Sequence, residues 1–240
     1  MNTVIVIPAR FGSSRLPGKP LADLLGKPMI QHVYERACQV QDIESVIVAT
    51  DDERVFDAVL KFGGKALMTS ADHASGTDRL VEVMQHVPAD VYINVQGDEP
   101  LIRIEDLDAL VRLMADSSVQ VGTLCHSIDA DEALDSNCVK VVRNHLGEAL
   151  YFSRSPIPYP REKSEAVYFK HVGVYAYRRV VLKQYSALAP SKLEAAEVLE
   201  QLRLLSAGVK IHVVETEPTG PGVDTPECLD RVRAILQAKQ

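Results

Sequence analysis

Three cations crowd one short stretch near the start of the chain. Arg10, Arg15 and Lys19 stand in the run Pro8-Ala9-Arg10-Phe11-Gly12-Ser13-Ser14-Arg15-Leu16-Pro17-Gly18-Lys19-Pro20. The small residues between them let the backbone come close to a ligand, and its N–H groups can point at phosphate oxygens. Guanidinium and ammonium groups at this density suit a triphosphate. This is not a Walker loop, because the GxxxxGKS/T pattern is absent and Lys19 is followed by Pro20. A second candidate is Gln96-Gly97-Asp98-Glu99-Pro100, where the Asp98 carboxylate suits a hard cation such as Mg²⁺. The competing role for Asp98 is a cap on the helix that follows. In a third motif, Ser75-Gly76-Thr77-Asp78-Arg79, either Ser75 or Thr77 would serve as a helix cap. Asp224, in Gly222-Val223-Asp224-Thr225-Pro226, reads by itself as a helix N-cap with proline near the first turn.

The elements around these motifs alternate. Val4-Ile5-Val6-Ile7 is an unbroken apolar run, the mark of a strand buried on both faces, and a Gly/Ser/Pro-rich loop follows from Ala9 to about Pro20. Met29, Ile30, Val33, Ala37 and Val40 recur at helical spacing, and Ser45–Thr50 is a second buried strand ending in Asp51-Asp52. A helix through Val55, Val59 and Leu60 stops at Gly63-Gly64. A short strand at Ala66–Met68 leads to a helix carrying Leu80, Val83, Met84 and Val87. Then come a strand over Val91–Val95 and a helix marked by Leu107, Leu110, Val111 and Met114. Such alternation predicts an α/β fold with a mostly parallel sheet covered on both faces. Ligands of these folds bind beyond the strand C-termini, where the motifs after Ile7, Thr50 and Val95 fall.

The second half reads differently. Val139–Val142, Ala149–Ser153 and Val172–Tyr177 are expected strands with few helices between them, either a mixed extension of the sheet or a small β-rich lobe. A helix from about Leu193 to Ala207, a strand at Val209–Val214 and a helix from about Pro226 complete the expectation, with Pro158 to about Val167 as the mobile loop. One domain is expected, with residues 1–118 as its first half, about 119–210 as the strand-rich region and 211–240 returning to the first half.

Bulk properties exclude several classes. A chain of 240 residues with net charge −7 lacks the basic footprint of a nucleic-acid binder. That charge also repels any anionic substrate, so the cations of the first loop, or a metal, must offset it locally. No apolar run reaches the ~20 residues of a membrane span, and the N-terminus lacks the basic region of a signal peptide. Cys38, Cys125, Cys138 and Cys228 have no metal-binding spacing and are expected as reduced, mostly buried thiols in a cytoplasmic protein.

The run RFGSSRLPGKPL resembles the nucleotide-binding signature of the sugar nucleotidyltransferases, and specifically of the 3-deoxy-manno-octulosonate cytidylyltransferases. The resemblance continues through Ala49-Thr50-Asp51-Asp52, Asp72–Arg79, Asn94–Leu101, Leu150–Arg154, His171–Tyr177, Leu199–Arg203 and Gly222–Pro226, nearly the whole chain in order. It implies a three-layer αβα nucleotide-diphospho-sugar transferase-like fold, with the mixed, mostly parallel sheet and the small β-rich extension. It implies that CTP and the eight-carbon sugar acid Kdo react to give CMP-Kdo and pyrophosphate, for lipopolysaccharide biosynthesis. Carried over residue by residue, the nucleotide contacts are Pro8, Ala9, Arg10, Ser14, Arg15, Lys19, Thr50, Asp51, Ser75, Gly76, Thr77, Arg79 and Gln96. Catalysis falls to Arg10, Arg15, Lys19, Asp98 and Asp224, the last two as the Mg²⁺ ligands. The sugar falls to Gln96, Arg154, His171, Tyr175, Glu200 and Gln201. The resemblance thus gives residues 1–118 to the nucleotide and about 119–210 to the sugar and dimerisation. A homodimer formed through the region near Tyr151 to Arg178 is also implied, with no nucleic-acid or membrane partner.

The resemblance departs at three places, each nearer the sugar than the nucleotide. The stretch from Arg161 to Phe169 is short, Arg103 stands where proline is expected, and Glu194-Ala195-Ala196-Glu197 lacks a bulkier residue. An 8-substituted Kdo or sialic acid is therefore the alternative substrate. A glycosyltransferase would carry a DxD motif, but the chain reads Gln96-Gly97-Asp98. The Arg10, Lys19, Asp98 and Asp224 set argues against a non-catalytic binding module. No Ser/His/Asp or Cys/His nucleophile is evident.

Overall fold

The computed structural model describes residues 1–12, 15–73, 75–162 and 167–238. The chain forms two compact units, Met1–Val111 with Thr219–Gln240, and Arg112–Pro218.

In the first unit, β1 (Thr3–Ala9) is the apolar run that opens the chain. The cationic loop follows and ends in a 3-10 turn at Lys19–Leu21, before the short hairpin of β2 (Asp23–Leu24) and β3 (Lys27–Pro28). Next come α1 (Met29–Ala37), β4 (Ser45–Thr50), α2 (Glu53–Lys61), β5 (Ala66–Met68), α3 (Gly76–His86), β6 (Val91–Asn94) and α4 (Ile104–Met114). The strands lie in the order β6-β1-β4-β5, and every pairing among them is parallel. Val4, Ile5, Val6 and Ile7 are each at most 1% exposed, because β1 has a strand on either side and helices packed on it. The chain moves outward from β1 through β4 to β5 and then crosses back to β6. Right-handed crossovers therefore put α3 on the face opposite α1 and α2 and make the β1/β6 boundary the switch point of the sheet.

In the second unit, β7 (Val121–Ile128) is followed by α5 (Ala130–Ala133), β8 (Lys140–Arg143), β9 (Ala149–Ser153) and β10 (Tyr168–Arg178). Then come α6 (Arg179–Tyr185), α7 (Lys192–Glu197), α8 (Gln201–Ser206) and β11 (Ile211–Glu215). Here β7 pairs with β11 in parallel and with β10 antiparallel, and β8 pairs antiparallel with both β10 and β9. The fold as a whole is mixed α/β, as expected. Back in the first unit, α9 (Pro226–Gln237) buries Leu229 and Val232 in a cluster with Leu24, Met29, Leu101 and Val223.

Several local expectations are corrected. The helix expected from Leu193 to Ala207 is two helices, because Val198 adopts left-handed φ 53° and ψ 51°. A β-branched residue resists that conformation, and here it is held by flanking bonds. Leu199 N–H donates to Glu194 O, and Arg203 pairs with Glu194 across the break. β7 had no counterpart in the sequence reading although it is flanked on both sides. Its Gly122, Thr123 and His126 interrupt the apolar pattern, yet all of Val121–His126 is buried. Leu60 shares the apolar spacing of α2 but is 51% exposed. All four cysteines are free thiols; only Cys125 and Cys138 are buried. The mobile loop expected at Pro158–Val167 lies partly outside the described residues, at 163–166. Among the described residues no helix is long and apolar enough to cross a membrane.

The wholly buried Lys140 joins three segments of the second unit. Its Nζ donates to the carbonyls of Asp135 at 2.9 Å, Cys138 at 2.5 Å and Arg154 at 2.6 Å. Lys140→Met keeps the stem and strands three buried acceptors, so denaturant unfolding is expected to show a loss of roughly 2–4 kcal/mol. An unchanged midpoint would show that water replaces the ammonium without cost.

Candidate active site

The cationic loop leaves the C-terminal end of β1, and Gln96-Gly97-Asp98 leaves that of β6. The strands are held in register beyond β6 by the Val95 N–H, which donates to Val6 O at 3.0 Å. At Gly97 the two exits nearly touch: a Cβ there would lie 2.9 Å from the Pro8 carbonyl oxygen. Glycine is thus required for the approach. A cavity of about 320 Å³ opens at this point, lined by Pro8, Ala9, Arg10, Gly12, Arg15, Lys19, Gly76, Arg79, Gln96, Asp98 and Asp224 among others.

The charges converge on one ammonium. Lys19 Nζ donates to Asp98 Oδ2 at 2.5 Å and to Asp224 Oδ1 at 3.1 Å, and Arg15 Nη2 reaches the same Asp224 oxygen at 3.3 Å. The Lys19 side chain is 16% exposed, against 29% for Asp98 and 52% for Asp224. Burial of Lys19 works against its charged form, but Asp98 and Asp224 outweigh it and raise its pKa above the ordinary lysine value. Asp224 arrives because α9 packs back onto the first unit, and the Val223 N–H donates to the Asp98 carbonyl at 2.8 Å.

Neither aspartate caps a helix. Thr225 caps α9 by accepting from Cys228 N, and α4 begins only at Ile104, well past Asp98. Two convergent carboxylates fit a hard divalent cation that completes its shell with phosphate oxygens and water. Among the described residues no group of three or more His, Cys, Asp or Glu side chains gathers to hold a metal without such help.

The cavity wall is tied together beneath its surface. Ser75 caps α3 by accepting from Asp78 N, so its hydroxyl has a structural task, and Thr77 is buried in the same helix. Arg79, 1% exposed, donates to Asp51 Oδ2 at 2.9 Å and to Thr69 Oγ1. Thr50 is buried and its carbonyl accepts from both Thr69 N and Thr69 Oγ1. The ends of β4 and β5 and the start of α3 therefore hold one another through Arg79. Ser14 lies outside the described residues.

One support of the cationic loop was not anticipated. The Arg54 guanidinium lies over the Phe11 ring at 3.4 Å and is gripped by both oxygens of Asp52. Phe11 in turn covers Gly18, whose φ is +69° and whose absent Cβ would meet the ring at 3.2 Å, while Gly18 N–H closes the loop onto Phe11 O. The aromatic within the glycine-rich run was the available signal; its partner lies on α2.

Of the residues expected to meet the sugar, all but Gln96 belong to the second unit. Two extra residues of β10, Gly173 and Val174, bulge between its pairings with β7, so His171 faces Cys125 and Tyr175 faces Thr123. The two rings stand 5.2 Å apart, with Phe152 edge-on to His171. His171 Nε2 lies 3.0 Å from Thr123 Oγ1, which donates to Val174 O. Burial pushes the imidazole down to about 3, so it is neutral near pH 7. Burial also raises Tyr175 well above the ordinary phenol value, so it stays protonated. Arg154 spends its guanidinium on the carbonyls of Glu197, Ser136 and Val198. Glu197, not anticipated, accepts from Ser153 Oγ and Arg154 N. Gln201 is buried at the start of α8, directly after the half-buried Glu200.

A parallel sheet with a cationic loop and two carboxylates at its switch point defines a nucleotidyltransferase-type architecture. Residues 4–211 match the family described as Cytidylyltransferase. The chain is 63% identical to the 3-deoxy-manno-octulosonate cytidylyltransferase of Escherichia coli, covering 98% of this chain and 96% of that one. Identity to the enzyme of the same name from Geobacter metallireducens is 50%, over 97% and 96%. A solved structure of CMP:2-keto-3-deoxy-manno-octonic acid synthetase complexed with CTP superimposes with a TM-score of 0.99 at 61% identity, each chain fully covered. A cytidylyltransferase structure from Leptospira borgpetersenii, 16% identical over 98% of this chain and 87% of that one, shares the fold with a TM-score of 0.65. The chain belongs to the cytidylyltransferase family, within its 3-deoxy-manno-octulosonate branch.

Because Thr225 rather than Asp224 caps α9, Asp224→Asn is expected to leave the melting temperature unchanged. Turnover should fall by roughly 10²-fold or more, with a higher divalent-cation requirement, if the carboxylate is a ligand. Near-normal turnover at low cation concentration would remove Asp224 from the mechanism.

A second expectation concerns His171. Its folded pKa lies below the unfolded value, so its contribution to stability is present above about pH 6.5 and is lost as pH falls toward about 3. Thermal melts between those limits should therefore fall more steeply for wild type than for His171→Gln. Parallel profiles would show that the imidazole titrates normally.

Proposed function

We propose that this chain is a sugar-acid cytidylyltransferase that activates Kdo with CTP, giving CMP-Kdo and pyrophosphate. The observation that carries this reading is the convergence of Lys19 on Asp98 and Asp224 at the β1/β6 switch point. Near-full-length identity to enzymes named for this activity supports the choice of substrates.

The anomeric 2-hydroxyl oxygen of the sugar acid attacks the α-phosphorus. The new O–P bond forms as the bond to pyrophosphate breaks, and the hydroxyl proton passes to solvent water. Arg10, Arg15 and Lys19 neutralise the triphosphate, and most of all the charge that builds on the departing pyrophosphate. Asp98 and Asp224 would hold the divalent cation, Mg²⁺ in this reading, which when bound would supply positive charge at the α-phosphate and would acidify the attacking hydroxyl. Pro8, Ala9, Thr50, Asp51, Ser75, Gly76, Thr77, Arg79 and Gln96 form or brace the nucleotide wall, with Ser14 in the same loop. Gln96, Arg154, His171, Tyr175, Glu200 and Gln201 serve the sugar. Neutral His171 and protonated Tyr175 offer hydrogen bonds without adding charge beside the sugar carboxylate.

The same reading assigns the enzyme to the cytoplasm, to lipopolysaccharide biosynthesis and to a homodimer formed through the strand-rich region near Tyr151 to Arg178. Light scattering at micromolar concentration should give a dimer mass; a monomer mass would refute this part.

Pyrophosphate release decides the chemistry. It should require CTP, Kdo and a divalent cation together, and UTP should be used at a small fraction of the CTP rate, because a site built for the cytosine amino group leaves buried groups unpaired with uracil. Equal rates with UTP, or release without Kdo, would overturn the assignment.

A further inference from the structure

We propose that Lys19 is the resident counterion of the Asp98–Asp224 pair, which its ammonium and a divalent cation occupy in turn. The inference rests on the reading that these two carboxylates hold the cation. Lys19 Nζ is in hydrogen-bond contact with Asp98 Oδ2 and Asp224 Oδ1 together, at 2.5 and 3.1 Å. A cation of the size of Mg²⁺ needs the same oxygens at about 2.0–2.1 Å, closer than an ammonium stands, and brings two further positive charges. It therefore displaces the ammonium rather than sharing the oxygens with it. Lysine can leave, because its charge rides on a flexible four-carbon stem. Arg15, 65% exposed and touching only Asp224 of the pair, stands at the rim and need not move.

Displacement couples the two substrates of the site. In the protein alone, Lys19 keeps two carboxylates together in a chain of net charge −7. An incoming triphosphate gives the ammonium another anion and so releases the carboxylates to the cation. A cation that enters first frees Lys19 for the phosphates. Nucleotide and cation must then favour each other's binding equally, since linkage is reciprocal. An apo site that excludes free cations also has no reason to collect whichever divalent ion is most abundant.

The test uses the full chain without nucleotide and Mn²⁺ as the probe, with free Mn²⁺ read by electron paramagnetic resonance and stability read by thermal melting. Lys19→Met should bind Mn²⁺ about tenfold or more tightly than wild type. Its melting temperature should rise on adding Mn²⁺, while that of wild type stays nearly constant. Lys19→Gln carries the same expectation should the methionine variant fold poorly, and Lys19→Arg should remain as weak as wild type. Equal Mn²⁺ affinity in wild type and Lys19→Met, tight or weak, would overturn the counterion role. Adding Asp224→Asn to Lys19→Met distinguishes that failure from failure of the metal reading. Retention of the tight site in the double variant would overturn the metal assignment itself.

Discussion

Two carboxylates meeting at one lysine impose a demand that the rest of the first unit answers. Like charges separate in water unless something holds them, and a chain of net charge −7 adds to the repulsion. Partly buried charges lose in desolvation much of what they gain from one another, so the ion pairs do not assemble the site by themselves. The assembly comes instead from apolar burial beneath it. Leu229 and Val232 of α9 pack with Leu24, Met29 and Leu101, and that packing delivers Asp224 to Asp98. The parallel pairing of β6 with β1 sets Asp98 beside the cationic loop, and Gly97 allows the two exits to touch. Hydrophobic packing positions the charges, and the charges then select the ligand.

Much of this was legible in the sequence. An apolar β-branched run followed by glycine and proline specifies a buried strand and the loop after it, and β1 with its loop follows that expectation. What one segment cannot reveal is which of two adequate residues takes a task. Asp224 and Thr225 can both cap a helix, and only the packed structure shows that Thr225 does so. Phe11 likewise reads as a loop aromatic until Arg54 of α2 is seen lying on it.

The second unit was harder to read for a related reason. β7 carries Gly122, Thr123 and His126 where a buried strand would ordinarily show apolar residues; Thr123 is there to hydrogen-bond across the β10 bulge. Val198 ends a helix in a conformation that its side chain disfavours, which no propensity would suggest. Both exceptions serve the polar residues around them. The bulge sets His171 beside Tyr175, and the break turns the carbonyls of Glu197 and Val198 toward Arg154. Local rules fail where the chain is shaped for something other than its own packing.

The hydrogen bond from Val223 to the Asp98 carbonyl joins positions far apart in the order of synthesis. A ribosome makes Lys19 and Asp98 early, then the whole of Arg112–Pro218, and only afterwards the segment that carries Asp224. Throughout that interval a nascent chain holds the cationic loop and one of the two carboxylates but cannot complete the pair. The chain thus times its own assembly: until Asp224 emerges and α9 docks, a growing polypeptide has no means of bringing the second carboxylate to Lys19.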